Sequence, residues 1–354
     1  MHNSFVFFVA KRPCGVCGLV IFVIVVAAGA IAFAQQQPPR FAERVNVDRI
    51  LIDARVVDDG GEPVSDLEVE DFRVKLGGKA ATVDSVQWVA GASDEAPAGY
   101  TAAGARTTFQ ASSGRLIVFV FQKSLERGRL PGLMRMLIES REFIDSLTPR
   151  DRVAVLSFDS RLRVWLDFTS DRARVAHALE RGILLETPPA SQAGAEPSLV
   201  ARLDPADVRR AYSIERSLRL IGEALEDLPG AKSVVLVGHG FGRLGPGGVS
   251  MENEYDAMRA ALQAARASVF CLDVTDADYH SLEAGLQLVA EDTGGFFVRT
   301  HVFPQQAIDR LAGALAGHYV LFVENPGLPS GSHRIEVRLT RRSGRILAKA
   351  EYVR

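Results

Sequence analysis

Leu116-Ile117-Val118-Phe119-Val120-Phe121 is an unbroken apolar run, and its reading decides the fold. A strand with one face in water alternates apolar and polar side chains; a run with no alternation needs burial on both faces, the condition inside a parallel sheet. The next segment has another period. Leu133, Met136, Leu137, Ser140, Phe143, Ile144 and Leu147 recur at helical spacing. Val153-Ala154-Val155-Leu156-Ser157-Phe158 reads as a second strand, and Asp159-Ser160 turns it into Leu162-Arg163-Val164-Trp165-Leu166, which predicts a hairpin. Helices are expected around 171–182 and 208–228, then strand 233–237, helix 252–266, strand 268–273, helix 281–292, strand 296–299 and helix 304–317. Such alternation predicts an α/β class: a doubly wound, mainly parallel, Rossmann-like sheet with helices on both faces, spanning 114–317.

On both sides of this block the period becomes two. Val47, Ile50, Ile52, Ala54 and Val56 punctuate polar residues, and turns at Asp58-Asp59-Gly60-Gly61 and Gly77-Gly78 separate short strands. Three more strands are expected at 319–324, 333–340 and 345–352. The N-terminal β segment at 45–89 and the C-terminal one at 318–354 are therefore expected to pack together as a β-sandwich-like unit. Residues 90–113, rich in Ala, Gly, Ser and Thr, read as a flexible connector.

At the N-terminus, Lys11 and Arg12 precede an apolar stretch from Val16 to Phe33, and Ala32-Phe33-Ala34 supplies small residues at a cleavage point. Residues 1–34 are read as a signal peptide and 35–44 as a linker, with an uncleaved anchor as the competing reading. The expected location is outside the cytoplasm, periplasmic or secreted. Cys14 and Cys17 leave with the leader, so Cys271 stands alone in an apolar run, with no internal disulfide and no thiolate metal cluster. A formal charge of −2, without basic runs, argues against a nucleic-acid partner.

Several segments together resemble the von Willebrand factor A-related family of exported bacterial proteins. They are Val56-Val57-Asp58-Asp59-Gly60-Gly61-Glu62-Pro63-Val64 with Glu70-Asp71-Phe72, Asp151-Arg152-Val153-Ala154-Val155, Asp167-Phe168-Thr169-Ser170-Asp171, Glu291-Asp292-Thr293-Gly294-Gly295-Phe296-Phe297 and His318-Tyr319-Val320-Leu321. The resemblance implies a divalent-cation adhesion site at the carboxyl edge of the sheet, with a first loop Asp-x-Ser-x-Ser and further Thr and Asp ligands. Here the first loop reads Gln122-Lys123-Ser124-Leu125-Glu126, and Gly238-His239-Gly240 stands where the family often has Ser-Asp-Gly. Two carboxylates are gone and a lysine has arrived. Hard cations take much of their affinity from anionic oxygens. The site is therefore read as degenerate: no metal, no cofactor, with weak magnesium or calcium binding left open. Gln122, Ser124, Glu126, His239 and Gly240 become candidate binding loops. Thr187 is a remote candidate for the missing threonine. Glu126 with Asp273, Asp276 and Asp278 is an acidic group expected to be a solvated loop.

Gly238-His239-Gly240-Phe241-Gly242 also has the outline of a Gly-x-Ser-x-Gly nucleophile elbow, but its centre is Gly240, which has no nucleophile. No enzyme is expected. The function expected is an exported protein-binding or adhesion module whose partner is a protein or cell-envelope component, with membrane contact only if the N-terminal segment stays uncleaved. The alternatives are an envelope assembly scaffold without its own ligand and, behind it, a residual α/β-hydrolase-like enzyme.

Overall fold

A computed structural model describes residues 49–91, 114–190 and 192–353. The leader, the linker and most of the connector expected from the sequence lie outside them. The run at 116–121 forms β5 (Leu116–Gln122), buried along its whole length. Its neighbours are β6 (Arg152–Phe158) on one side and β8 (Lys232–Gly238) on the other, both parallel to it. The sheet continues through β11 (Ala267–Asp273) to β12 (Phe297–Arg299), again in parallel, and ends at the other edge in β7 (Leu162–Thr169), antiparallel to β6. The order is β12-β11-β8-β5-β6-β7. A small antiparallel pair, β9 (Arg243–Gly245) and β10 (Gly248–Ser250), stands on the loop after β8.

Alternate side chains of β5 enter two different cores. Leu116, Val118 and Val120 pack with α4 (Ile214–Leu225) and α5 (Tyr255–Ala264). Ile117, Phe119 and Phe121 pack with α1 (Leu130–Asp145) and α7 (Pro304–Leu315). That two-sided burial is why the run lacks alternation. Other helices among the described residues include α2 (Arg172–His177), running into a π turn at Ala178–Gly182, α3 (Pro205–Arg209) and α6 (Glu283–Thr293). The single helix expected at 208–228 is interrupted, because Ser213 caps a new N-terminus by accepting from the Arg216 N–H.

The flanks form two four-stranded sheets. One has the order β15 (Arg345–Ala348), β1 (Arg49–Val57), β13 (Gly317–Glu324), β4 (Val83–Ala90); the other β16 (Glu351–Val353), β14 (Ser332–Leu339), β2 (Phe72–Leu76), β3 (Lys79–Ala81). The last strand expected, 345–352, is thus two strands. The chain leaves one sheet at Ala348 and enters the other at Glu351, a corner held by the Ile335 N–H on the Ala350 carbonyl at 2.8 Å. Between the sheets Tyr319 is buried against Phe72 and Trp88, and its hydroxyl donates to Val64 O and accepts from Leu67 N. Trp88 and Trp165 both pack, the latter with its indole N–H on Ser157. Cys271 is fully buried, and burial raises its thiol pKa far above the usual range.

Where β1 and β13 meet the start of β11 lies a charged group, buried at Arg55 and open to solvent at Arg266. Asp53 is paired with Arg266, Arg55 donates to Ser268, and His318 and Lys349 face the same carboxylate. Burial, then the Arg55 charge, pushes the His318 imidazole down to about 4. The unfolded imidazole titrates near ~6.5. Between these values the unfolded chain takes up a proton that the native one refuses. Stability supplied by neutral His318 is therefore complete above about pH 6.5 and lost as pH falls toward 4, by roughly 3 kcal/mol at most. Urea unfolding of the wild type and His318→Gln at about pH 7 and 4.5 should show a smaller acid loss in the variant; equal losses would refute this assignment.

Candidate functional site

β5, β8, β11 and β12 are mutually parallel, so the loops that leave their carboxyl ends share one edge of the sheet. Gln122, the last residue of β5, is 5% exposed. Its amide Nε2 donates to the Gly240 carbonyl at 3.0 Å, and its Oε1 accepts from the His239 N–H at 2.9 Å. An amide can do both; a carboxylate could only accept. The glycines beside it are there for space. A Cβ on Gly238 would stand 2.3 Å from Gln122 Oε1, and one on Gly240 would stand 2.7 Å from Leu282 Cβ. Gln122, His239 and Gly240 are thus brought together, with the amide acting as a clasp between two loops.

Ser124 and Glu126 do not join them. Ser124 Oγ accepts from the Glu126 N–H, and the exposed Glu126 carboxylate pairs with Arg129 at 3.2 Å. They shape their own loop. Thr187 is exposed beyond the turn at Ile183–Leu185. His239 is held by its backbone, and its buried Nδ1 has no hydrogen-bond partner among the described residues. Burial, and secondarily the Arg129 charge, lowers this imidazole to about 4, so it is neutral at physiological pH.

The acidic group expected as a solvated loop is instead divided. Asp278 is exposed beside His301, and Asp276 lies 3.7 Å from Arg135, while its N–H donates to Gly128 O and ties this loop to the first. Asp273, at the end of β11, is 1% exposed, which corrects the solvated reading. One of its oxygens accepts from the Thr275 N–H, and the other lies 2.7 Å from His280 Nε2. Glu283, the first residue of α6, lies in the same cluster; its carboxylate and the donor atoms of Asp273 and His280 are all within 4.8 Å of one another. Arg299 at the end of β12 grips both Glu283 oxygens, at 2.6 and 3.0 Å, and keeps this carboxyl below its ordinary pKa. No standard ligand spacing in the sequence links His280 and Glu283 to Asp273, so reading by motif misses them.

The same loops carry large apolar side chains that motifs also pass over. Leu125 follows β5, Leu244 follows β8, Tyr279 follows β11, and Val302 and Phe303 follow β12; their exposures run from 56% to 79%. A lone exposed leucine means little; here each of four loops at this edge carries a large exposed apolar residue. The signal is present in the sequence as Leu125 between Ser124 and Glu126, and as Phe303 ahead of Pro304.

No family model and no curated protein matches the chain. Solved structures resemble it in fold. The hypothetical protein BatB from Bacteroides thetaiotaomicron is 16% identical over 57% of this chain and 99% of its own, with a TM-score of 0.40. A von Willebrand factor type A protein from Catenulispora acidiphila is 12% identical over 88% of this chain and 74% of its own, with a TM-score of 0.39. The PilB minor pilin from Streptococcus sanguinis is 11% identical over 58% of this chain and 61% of its own, with a TM-score of 0.37. The chain's own architecture is a mainly parallel six-stranded α/β sheet with helices on both faces.

Proposed function

We propose that this is an exported, non-catalytic protein-binding module whose contact face is the carboxyl edge of the parallel sheet. The observation that carries the reading is the set Leu125, Leu244, Tyr279, Val302 and Phe303, exposed on loops held from beneath by buried polar clasps. Binding surfaces combine apolar anchors with ordered polar surroundings, and a rigid support lowers the entropy cost of association. The positions that would hold magnesium in the resembling family serve here as structure: the Gln122 amide is used on both sides, and Ser124 and Glu126 turn toward their own loop. Gly240 at the centre of the elbow-like motif offers no nucleophile, which favours binding over hydrolysis.

The test is capture of one stoichiometric partner from an envelope extract by the immobilised chain. Tyr279→Asp and Phe303→Asp should each reduce capture roughly tenfold or more, the loss typical of an aromatic anchor. Leu51→Asp and Val353→Asp, exposed on the flanking sheets, should leave it unchanged. Equal loss in both pairs, or none in either, would refute the face. A partner retained by all four variants would favour the scaffold reading.

A further inference from the structure

We infer that Asp273, His280 and Glu283 form a binding site for a divalent ion of the zinc type, and that the ion fastens the Tyr279 loop to the start of α6. At the first-loop position the Gln122 amide is engaged on both sides and carries no charge for a cation. The donors of this second cluster are of another kind. Two carboxylates and one imidazole converge from the end of β11, the following loop and the first turn of α6, all within 4.8 Å. Asp273 and Glu283 are 1% and 3% exposed, so two acidic groups are buried next to a nitrogen donor. Zinc accepts carboxylate oxygen and imidazole nitrogen at about 2.0–2.2 Å with tetrahedral geometry, so two donors on one ion stand roughly 3.4 Å apart. Binding therefore opens the Asp273–His280 contact from 2.7 Å and brings the wider-spaced donors, all within 4.8 Å, inward around the ion.

The existing contacts leave room for the ion. Arg299 takes one lone pair of each Glu283 oxygen, and Gln287 Nε2 lies 3.4 Å from Oε1, a long contact that the ion would displace. Arg299 then acts as the outer support that orients a ligating carboxylate. Asp273 keeps its Thr275 contact through Oδ1 and offers Oδ2. His280 exchanges its contact with Asp273 for the ion by taking the tautomer protonated at Nδ1, so that Nε2 presents its lone pair. Magnesium is disfavoured by the nitrogen donor, whereas imidazole suits zinc and its transition-metal neighbours. Three protein ligands leave a coordination position for water or for a donor from a partner.

The segment between the ligands carries Tyr279, 69% exposed. Closing the ion between Asp273 and His280 on one side and Glu283 on the other fixes both ends of that segment. The benefit to partner binding rests on the reading of this edge as a binding face; the metal site itself does not.

The test uses the full chain, stripped with chelator and titrated with Zn²⁺ alone, without any partner. One Zn²⁺ per chain is expected by calorimetry and by metal analysis after gel filtration, with no competition from millimolar Mg²⁺. Affinity should be roughly tenfold weaker or worse in His280→Ala and Glu283→Gln. Co²⁺ in place of zinc should give visible d–d absorption that His280→Ala abolishes. The half-buried position of His280 makes His280→Ala the variant expected to stay folded, checked by far-UV circular dichroism. Absence of stoichiometric zinc in the wild type, or unchanged affinity in His280→Ala, overturns the site. Zinc binding without any effect of Tyr279→Asp on partner capture would uphold the site and refute the face.

Discussion

Asp151→Ala is expected to lower the unfolding free energy by about 3–5 kcal/mol, the cost of stripping one partner from a buried ion pair. Asp151 is fully buried immediately ahead of β6 and accepts from Arg115 N, Nε and Nη2 and from Thr148 N and Oγ1. Arg115, immediately ahead of β5, is itself only 11% exposed and also donates to the Leu315 carbonyl at the end of α7. Without the carboxylate, a nearly buried guanidinium loses its counter-charge at the junction of two central strands and a helix. Burial alone would raise the Asp151 pKa; the hydrogen bonds and charge of Arg115 outweigh it and hold the carboxyl below its ordinary value. A carboxylate with a depressed folded pKa stabilises fully above about pH 4, and its contribution fades as pH falls through the folded value. The difference from Asp151→Asn, measured by urea unfolding with an unchanged m-value, should therefore shrink as pH falls below about 4. A loss below about 1 kcal/mol in Asp151→Ala would show that the pair is not what joins these strands.

Gln122→Glu, nearly the same in shape, should cost about 2–4 kcal/mol at pH 7. The substitution keeps the acceptor for the His239 N–H, removes the donor to Gly240 O and places a charge where 5% of the residue is exposed. A protonated glutamic acid regains an O–H donor. The deficit relative to wild type should thus narrow as pH falls from about 7 toward 4.5, since burial raises the folded pKa of such a group. Thermal unfolding of both chains at each pH, with and without ~10 mM Mg²⁺, reads this directly. If magnesium restores the variant, the position is a cation site waiting for its carboxylate, and the structural role assigned to the amide is wrong.

The strength of the sequence signal followed how local its cause is. The unbroken run at 116–121 announces two-sided burial because every residue in it obeys the same constraint, and the helical periods after it need only their own spacing to be recognised. The break between β15 and β16 is different. Residues 345–352 alternate well enough for one strand, and only the position of two sheets makes the chain cross at Lys349 and Ala350. The interruption ahead of Ser213 was legible in principle as a cap, but the apolar spacing on both sides hid it.

At the carboxyl edge the same division holds. That Gln122 and His239 replace anionic residues of a resembling family is visible in the letters alone, as is the missing nucleophile at Gly240. That the Gln122 amide clasps the next loop, that Asp273 is buried and meets His280 and Glu283, and that four loops with exposed apolar side chains leave one edge are consequences of parallel strands ending together. By itself the sequence determined the alternation of strands and helices and the chemistry each loop carries, because periodicity and residue type are local properties of the chain. Which of those chemistries meet was decided only by the tertiary structure, because contacts across 117 or 118 positions, such as those of Gln122 with His239 and Gly240, depend on strand order and register rather than on spacing.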